Sequence, residues 1–194
     1  MEFLNEQYIL ASGSPMRQQI LKQLNINFTI QPSNIDETPF EGESPEQLVV
    51  RLGKEKCQSI LDLCPDAVVI AGDQILTIDN QIIGKPLTKE NAKKQLKLCS
   101  GNWVSSLSNI TIGKGEKILQ KTSECRIKYR TLNDATIDSY IHDESILVCA
   151  GSLRVESSGI LLIESIESDD PFSIYGMPMI AAAELLEHHG LVKL

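Results

Sequence analysis

The run from Ala67 to Ile78 (AVVIAGDQILTI) is apolar enough to form a strand covered on both faces, and Asp73 stands in the middle of it. An unpaired carboxylate buried there costs several kcal/mol. The fold must therefore place a metal ion, a lysine or a substrate beside Asp73, unless the residue is one half of a structural ion pair. A turn at Asp79-Asn80 and a return through QIIG would bring Lys85 onto a strand neighbouring that of Asp73.

The other elements follow from capping and periodicity. Residues 7 to 11 (QYILA) read as a first strand. The turn SGS follows, then Pro15 at the first position of a helix capped by Ser14, with Ile20, Leu21 and Leu24 on its apolar face. NFTI (27 to 30) is strand-like and leads into the acidic loop PSNIDETPFEGE. Ser44, Pro45 and Gln47 form a capping-box pattern at the start of a second helix. On that helix Leu48, Leu52, Lys56 and Ile60 recur every four residues and share one face, so Lys56 points inward. A lysine so placed either snorkels along its apolar neighbours or meets an anion.

Thr88 caps a third helix ending at Ser100-Gly101, and segments 103 to 112 and 117 to 129 read as a hairpin split by GKGE. A helix near 133 to 141, a strand at 160 to 166 and a helix from Pro178 to about His189 complete the chain. Strands and helices mix irregularly, which predicts an α/β fold with a mixed sheet and flanking helices.

At 194 residues the chain fits a single domain spanning 1–194, large enough to bury a core without disulfides or structural metals. A formal net charge of −8 argues against a broad nucleic-acid or anionic-lipid footprint, and no apolar run approaches the roughly 20 residues of a membrane span. Cys57, Cys64, Cys99, Cys125 and Cys149 are widely spaced, with no CxxC pair, and read as reduced thiols. The N-terminus MEFLNEQYIL has no basic signal-peptide start, so a cytoplasmic location is expected.

For chemistry, Ser12, Ser14, the backbone N–H groups of a helix N-terminus and Arg17 could hold phosphate oxygens, although the P-loop ending GK[ST] is absent. Cations at Arg17, Lys56 and Lys85, with carboxylates at Asp36, Glu37 and Asp73, suit nucleoside triphosphate chemistry. Magnesium takes one or two carboxylates plus phosphate oxygens, while Lys and Arg stabilise charge on a phosphoryl group in flight. An Asp close to the ion can accept a proton from attacking water. His142, His188 and His189 fall at helix ends and read as structural, as Trp103 reads as core.

Read together, these segments resemble the Maf family of nucleotide pyrophosphatases, in its 7-methyl-GTP pyrophosphatase branch. ILASGSPMRQQIL resembles the family's opening strand, phosphate loop and helix. IDETP, ESPEQLVVRLGKEK, AGDQ, GKPLTKENAKKQL, SGNWV, CAGS and YGMPMIAAAELL follow in the family's order. The resemblance implies an elongated, ITPase-like α/β protein with two lobes around a deep cleft, often a homodimer. It implies Mg²⁺ or Mn²⁺ and cleavage of a nucleoside triphosphate between its α- and β-phosphates. The family's catalytic Asp falls on Asp73, and its phosphate- and metal-handling positions fall on Ser14, Arg17, Glu37, Lys56 and Lys85, with Glu37 and Asp73 on the metal.

Gln74 and Glu156 resemble the 7-methyl-GTP branch, where the dTTP/UTP branch has Thr and Gln. A carboxylate suits a guanine made cationic by N7-methylation. Met16 departs from the branch's Trp, replacing an aromatic face by a thioether, and Ser108-Asn109 replace a usual Thr-Gly pair. Two other readings stay open: a dTTP/UTP or broad-specificity pyrophosphatase, and a non-catalytic nucleotide-binding protein linked to septum formation.

Overall fold

A computed structural model describes residues 2–193. The first turn of structure follows the capping expectation. Strand β2 (Tyr8–Leu10) runs into Ser14, whose hydroxyl accepts from Arg17 N at 3.4 Å, and Pro15 opens α1 (Pro15–Lys22). Strand β3 (Phe28–Ile30) precedes an irregular loop to Ser44. There the capping box closes both ways: Gln47 N donates to Ser44 Oγ at 3.2 Å, and Ser44 N donates to Gln47 Oε1 at 2.9 Å. Helix α2 (Pro45–Leu61) then delivers the chain to β4 (Val68–Ile78).

α1 and α2 act as crossovers, so β2 pairs in parallel with both β3 and β4. From β4 onward the connections tighten and the sheet turns antiparallel. Asp79 and Asn80 both take positive φ (49° and 61°), as a two-residue hairpin turn requires, and β5 (Gln81–Ile83) pairs back on the end of β4. Helix α3 (Lys89–Cys99) leads to the long hairpin β6 (Trp103–Lys114) and β7 (Lys117–Tyr129). Helix α4 (Asp134–Tyr140), a series of short 3-10 turns, β8 (Ile163–Ser168) and α5 (Met179–His188) follow. The seven-stranded sheet has the order β3-β2-β4-β6-β7-β8, with β5 on β4, and a small separate pairing joins β1 (Glu2–Phe3) to β9 (Val192–Lys193). The fold is mixed α/β, as the sequence predicts.

The apolar run of β4 is explained by cover on both faces. Val68 and Ile70 pack with α1 and α5 side chains, including Leu21 and Leu185, while Val69 and Ala71 pack against Cys57, Ile60 and Leu61 of α2. Asp73 has the parity of Val69, Ala71 and Ile75, so it too faces α2. The Leu48, Leu52, Lys56, Ile60 stripe is buried throughout and meets that face. Each of the three apolar members contributes about 1.5–3 kcal/mol, enough together to carry a helix that also buries a lysine.

Helix α2 rides close to the sheet at Gly53, where a Cβ would fall 2.0 Å from Asn109 Oδ1. Asn109 is fully buried and cannot yield easily, because Nδ2 donates to Thr122 Oγ1 and Oδ1 accepts from Thr111 Oγ1.

Two boundaries differ from expectation. The strand expected at 160 begins at Ile163, because Ser158–Leu162 turns as a 3-10 segment against the backbone of Arg154. Lys85 does not reach a strand, since β5 ends at Ile83 and the chain leaves the sheet at Gly84. Trp103 is also less buried than expected, lying under the Arg126 guanidinium at 4.6 Å.

An alanine in a helix interior ordinarily stabilises relative to glycine by about 1 kcal/mol. Gly53→Ala is expected to destabilise instead, by about 1–3 kcal/mol of overpacking. Urea unfolding decides the sign, and a stabilised variant would contradict the close approach.

Candidate active site

Asp73 and Lys56 meet because a period-two strand and a period-four helical stripe face each other. Lys56 Nζ donates to Asp73 Oδ1 at 2.6 Å and stands 2.6 Å from Glu37 Oε1. The Lys56 and Asp73 side chains are 9% and 13% exposed, whereas Glu37, on the irregular loop before α2, is 55% exposed. The inner bond is therefore the stronger one. Among the described residues Asp73 Oδ2 accepts no hydrogen bond, and it is not sealed from solvent.

Arg17 closes the second side of the site. Its Nη1 donates to Gly72 O at 2.7 Å and its Nε to Gly176 O at 2.8 Å, tying the backbone beside Asp73 to the loop before α5. Burial pulls the guanidinium below its ordinary pKa, and the carboxylates of Asp73 and Glu37 pull it back up. Nη2 has no hydrogen-bond partner among the described residues and is not sealed from solvent, so one donor edge remains for a ligand. Ser12 and Ser14 line the approach to α1, with Ser14 N donating to Ser12 Oγ at 3.2 Å.

Of the residues selected from the sequence, Ser12, Ser14, Met16, Arg17, Glu37, Lys56, Asp73, Gln74, Lys85 and Glu156 line one cavity of about 970 Å³. Lys85 is exposed at its wall and has no ion-pair partner among the described residues. Asp36 does not join them. It is exposed, and its carboxylate accepts from Thr38 N at 2.9 Å; hydrogen bonds from Thr38 hold it below the usual carboxylate pKa. Gln74 donates its Nε2 to Ser106 Oγ at 2.9 Å and to Ile174 O at 3.0 Å, which fixes its amide plane. The cavity lining combines Ser12, Ser14, Arg17, Lys56 and Lys85 with the apolar or aromatic Val148, Leu153, Val155 and Tyr175, and with Glu156. A polyanion with an attached planar group matches such a mixed lining.

Three contributors escaped the sequence reading. Gly176 has φ 74°, and a Cβ there would stand 2.7 Å from Gln74 Oε1, so only glycine lets the loop close on Gln74. Arg154 donates its Nε to Glu156 Oε1 at 3.2 Å. Asp170 is 3% exposed and accepts four backbone N–H groups: Phe172 and Met179 on Oδ1, Ile180 and Ala181 on Oδ2. It caps α5, where Pro178 offers no side-chain cap, and it pins both ends of the 172–179 loop. That loop presents Gly176 O to Arg17, Ile174 O to Gln74 and Ser173 O to Ser108 Oγ. The pair DD at 169–170 shortly before a Pro-led helix was the available signal.

Among the described residues no group of three or more His, Cys, Asp and Glu side chains forms a metal site. Glu37 and Asp73 nevertheless present oxygens within 2.6 Å of one Lys56 nitrogen, a pair of carboxylates already arranged around a cation.

Comparison with known proteins adds four findings. A family model described as Maf-like protein matches residues 7–189. A 7-methyl-GTP pyrophosphatase of Vibrio cholerae is 41% identical over 191 residues, covering 96% of this chain and 97% of that protein. One of Cupriavidus metallidurans is 40% identical over 189 residues, covering 94% and 92%. Among solved structures, the Staphylococcus aureus Ham1 protein aligns with a TM-score of 0.44 at 14% identity, over 95% of this chain and 97% of that one.

Asp170→Ala is expected to destabilise the protein by about 3 kcal/mol or more, because it strands four N–H donors that were bonded to a charged acceptor. Urea unfolding measures it. A loss below about 1 kcal/mol would show that the loop is not held by this carboxylate.

Proposed function

The chain belongs to the Maf family, and on that premise we propose that it is a hydrolase cutting 7-methyl-GTP into 7-methyl-GMP and pyrophosphate. The observation that carries the reading is the convergence of Asp73, Lys56, Glu37, Arg17 and Lys85 on one cavity that is also lined by a further carboxylate, Glu156, and by apolar side chains. Relatives with this activity in their names share about 40% of its residues across nearly the whole chain.

The chemistry follows from where charge must go. A water oxygen attacks the α-phosphorus, the bond from that phosphorus to the α–β bridging oxygen breaks, and pyrophosphate leaves with the bridging oxygen. Asp73 Oδ2, which no protein donor occupies among the described residues, accepts the water proton. Lys56 holds Oδ1 and so fixes the carboxylate in one orientation. Lys85 and the remaining Nη2 edge of Arg17 take phosphate oxygens, and so does the Met16 N–H, the first-turn donor of α1 that no cap occupies among the described residues. Glu37 and Asp73 fit Mg²⁺ or Mn²⁺, hard cations that take one or two carboxylates together with phosphate oxygens. When bound, such an ion would neutralise charge on the phosphates.

Specificity rests on Glu156 and the apolar part of the lining. Glu156 accepts from the N–H groups on the Watson–Crick edge of the base, and its charge complements the methylated purine. Met16 and Tyr175 line the same cavity and offer a thioether and an aromatic surface. Among the described residues no helix is long and apolar enough to cross a membrane.

Incubation with Mg²⁺ and a panel of triphosphates tests the reaction. Monophosphate with pyrophosphate is expected, with 7-methyl-GTP the best substrate. Diphosphate with phosphate would reject the mechanism, and no turnover would favour a nucleotide-binding role. Asp73→Asn should stay folded and lose at least about 10²-fold in kcat, the scale of a lost general base. Near-normal turnover by that variant would remove Asp73 from the chemistry. Glu156→Gln should lower the kcat/KM ratio of 7-methyl-GTP over UTP more than it lowers kcat, and an unchanged ratio would exclude Glu156 as the contact to the base.

A further inference from the structure

Glu156 is exposed at its wall, and among the described residues only one side chain holds it. That side chain is Arg154. Its Nε donates to Glu156 Oε1 at 3.2 Å, its Nη1 donates to Ser145 Oγ at 2.6 Å, and Nη1 stands 3.7 Å from Asp143 Oδ2. Two of the three guanidinium nitrogens thus have partners, and its charge is shared between two carboxylates.

The backbone beneath is clamped as firmly. Arg154 N donates to Tyr140 Oη at 3.0 Å, and that hydroxyl donates to Ser152 O at 3.0 Å. Arg154 O accepts from Ser157 N at 3.2 Å and from Gly159 N at 3.1 Å. A Cβ at Gly159 would fall 2.4 Å from that same oxygen, so the turn closes tightly around residue 154. Arg154, Glu156 and Ser145 all line the cavity, beside Val148 and Leu153.

We propose that Arg154 is a positioning residue for base selection, holding Glu156 by Oε1 so that Oε2 faces a base that offers a pair of N–H donors. The inference rests on the reading of Glu156 as the base contact. A guanine edge offers two adjacent donors to a carboxylate, whereas uracil and thymine present carbonyl acceptors beside a single N–H, which a carboxylate repels. Without Arg154 the glutamate must give up rotamer freedom on binding, and its preference is blunted.

The test measures kcat and KM for 7-methyl-GTP and UTP on wild type, Arg154→Gln, Arg154→Lys, Glu156→Gln and the Arg154→Gln/Glu156→Gln double variant, per folded molecule. Arg154→Gln is expected to raise KM for 7-methyl-GTP about 10-fold with a much smaller change in kcat, and to lower the preference over UTP by a similar factor. Arg154→Lys, which can reach Glu156 but not also Ser145 and Asp143, should keep part of the preference and carries the test if the Gln variant does not fold. In the Glu156→Gln background the Arg154 change should add little. A wild type without preference for 7-methyl-GTP overturns the reading of Glu156 and this inference with it. A wild type with the preference and an Arg154→Gln variant that retains it leaves that reading standing and overturns only the role of Arg154. Losses that add in the double variant overturn it equally.

Discussion

The ion pair between Lys56 and Asp73 is the constraint around which the rest is arranged. Neither charge would be tolerated alone at 9% and 13% exposure, and a 2.6 Å bond makes each the other's condition for burial. The apolar residues that flank them, Leu48, Leu52 and Ile60 on α2 and Val69, Ala71 and Ile75 on β4, hold helix and strand in the register that makes the bond. Gly53 sets how near the helix comes. A site meant to handle triphosphates is thus built from an internally neutralised pair, with Glu37 on an exposed loop adding a second carboxylate to the same ammonium.

Around that pair the chain uses backbone carbonyls more than side chains to fix geometry. Arg17 reaches Gly72 O and Gly176 O, two segments far apart in sequence, and Asp170 holds the loop that carries the second of them. Gln74 and Ser108 bond to the same loop. The consequence for function is that the strand carrying Asp73 and the loop before α5 do not move independently. Side chains held on a strand, a helix and a pinned loop are positioned more closely than side chains on free loops.

Much of this was legible in the sequence, for reasons that differ by residue. Asp73 was visible because it breaks an apolar run, Lys56 because it breaks an apolar stripe, and Ser14 and Ser44 because capping chemistry is local. The pairing of Asp73 with Lys56 was not legible, because β4 is covered on both faces and the sequence pattern set Lys85, not Lys56, beside Asp73; which face meets α2 is decided only when the helix packs on the sheet. Lys85 was found as a site residue but assigned to a strand. The hairpin is only three residues deep on its return, a length that pattern cannot fix. Arg154 and Asp170 were missed because their partners are Glu156, Ser145 and scattered backbone N–H groups, contacts that exist only after the 3-10 turns and the α5 loop have folded. Asp36 was grouped with Glu37 and Asp73 as a carboxylate, but it accepts from Thr38 N within its own loop and does not line the cavity.

The central claim is that one lysine both permits the burial of Asp73 and orients it for reaction. Lys56→Met keeps the apolar stem and removes the charge, so unfolding in urea without nucleotide or metal, beside kcat/KM on the folded variant, separates the two roles. Both should fail together: apoprotein stability falling by about 3–5 kcal/mol as Asp73 loses its partner, and activity falling by at least about 10²-fold. A variant with unchanged stability and near-normal turnover would contradict the account.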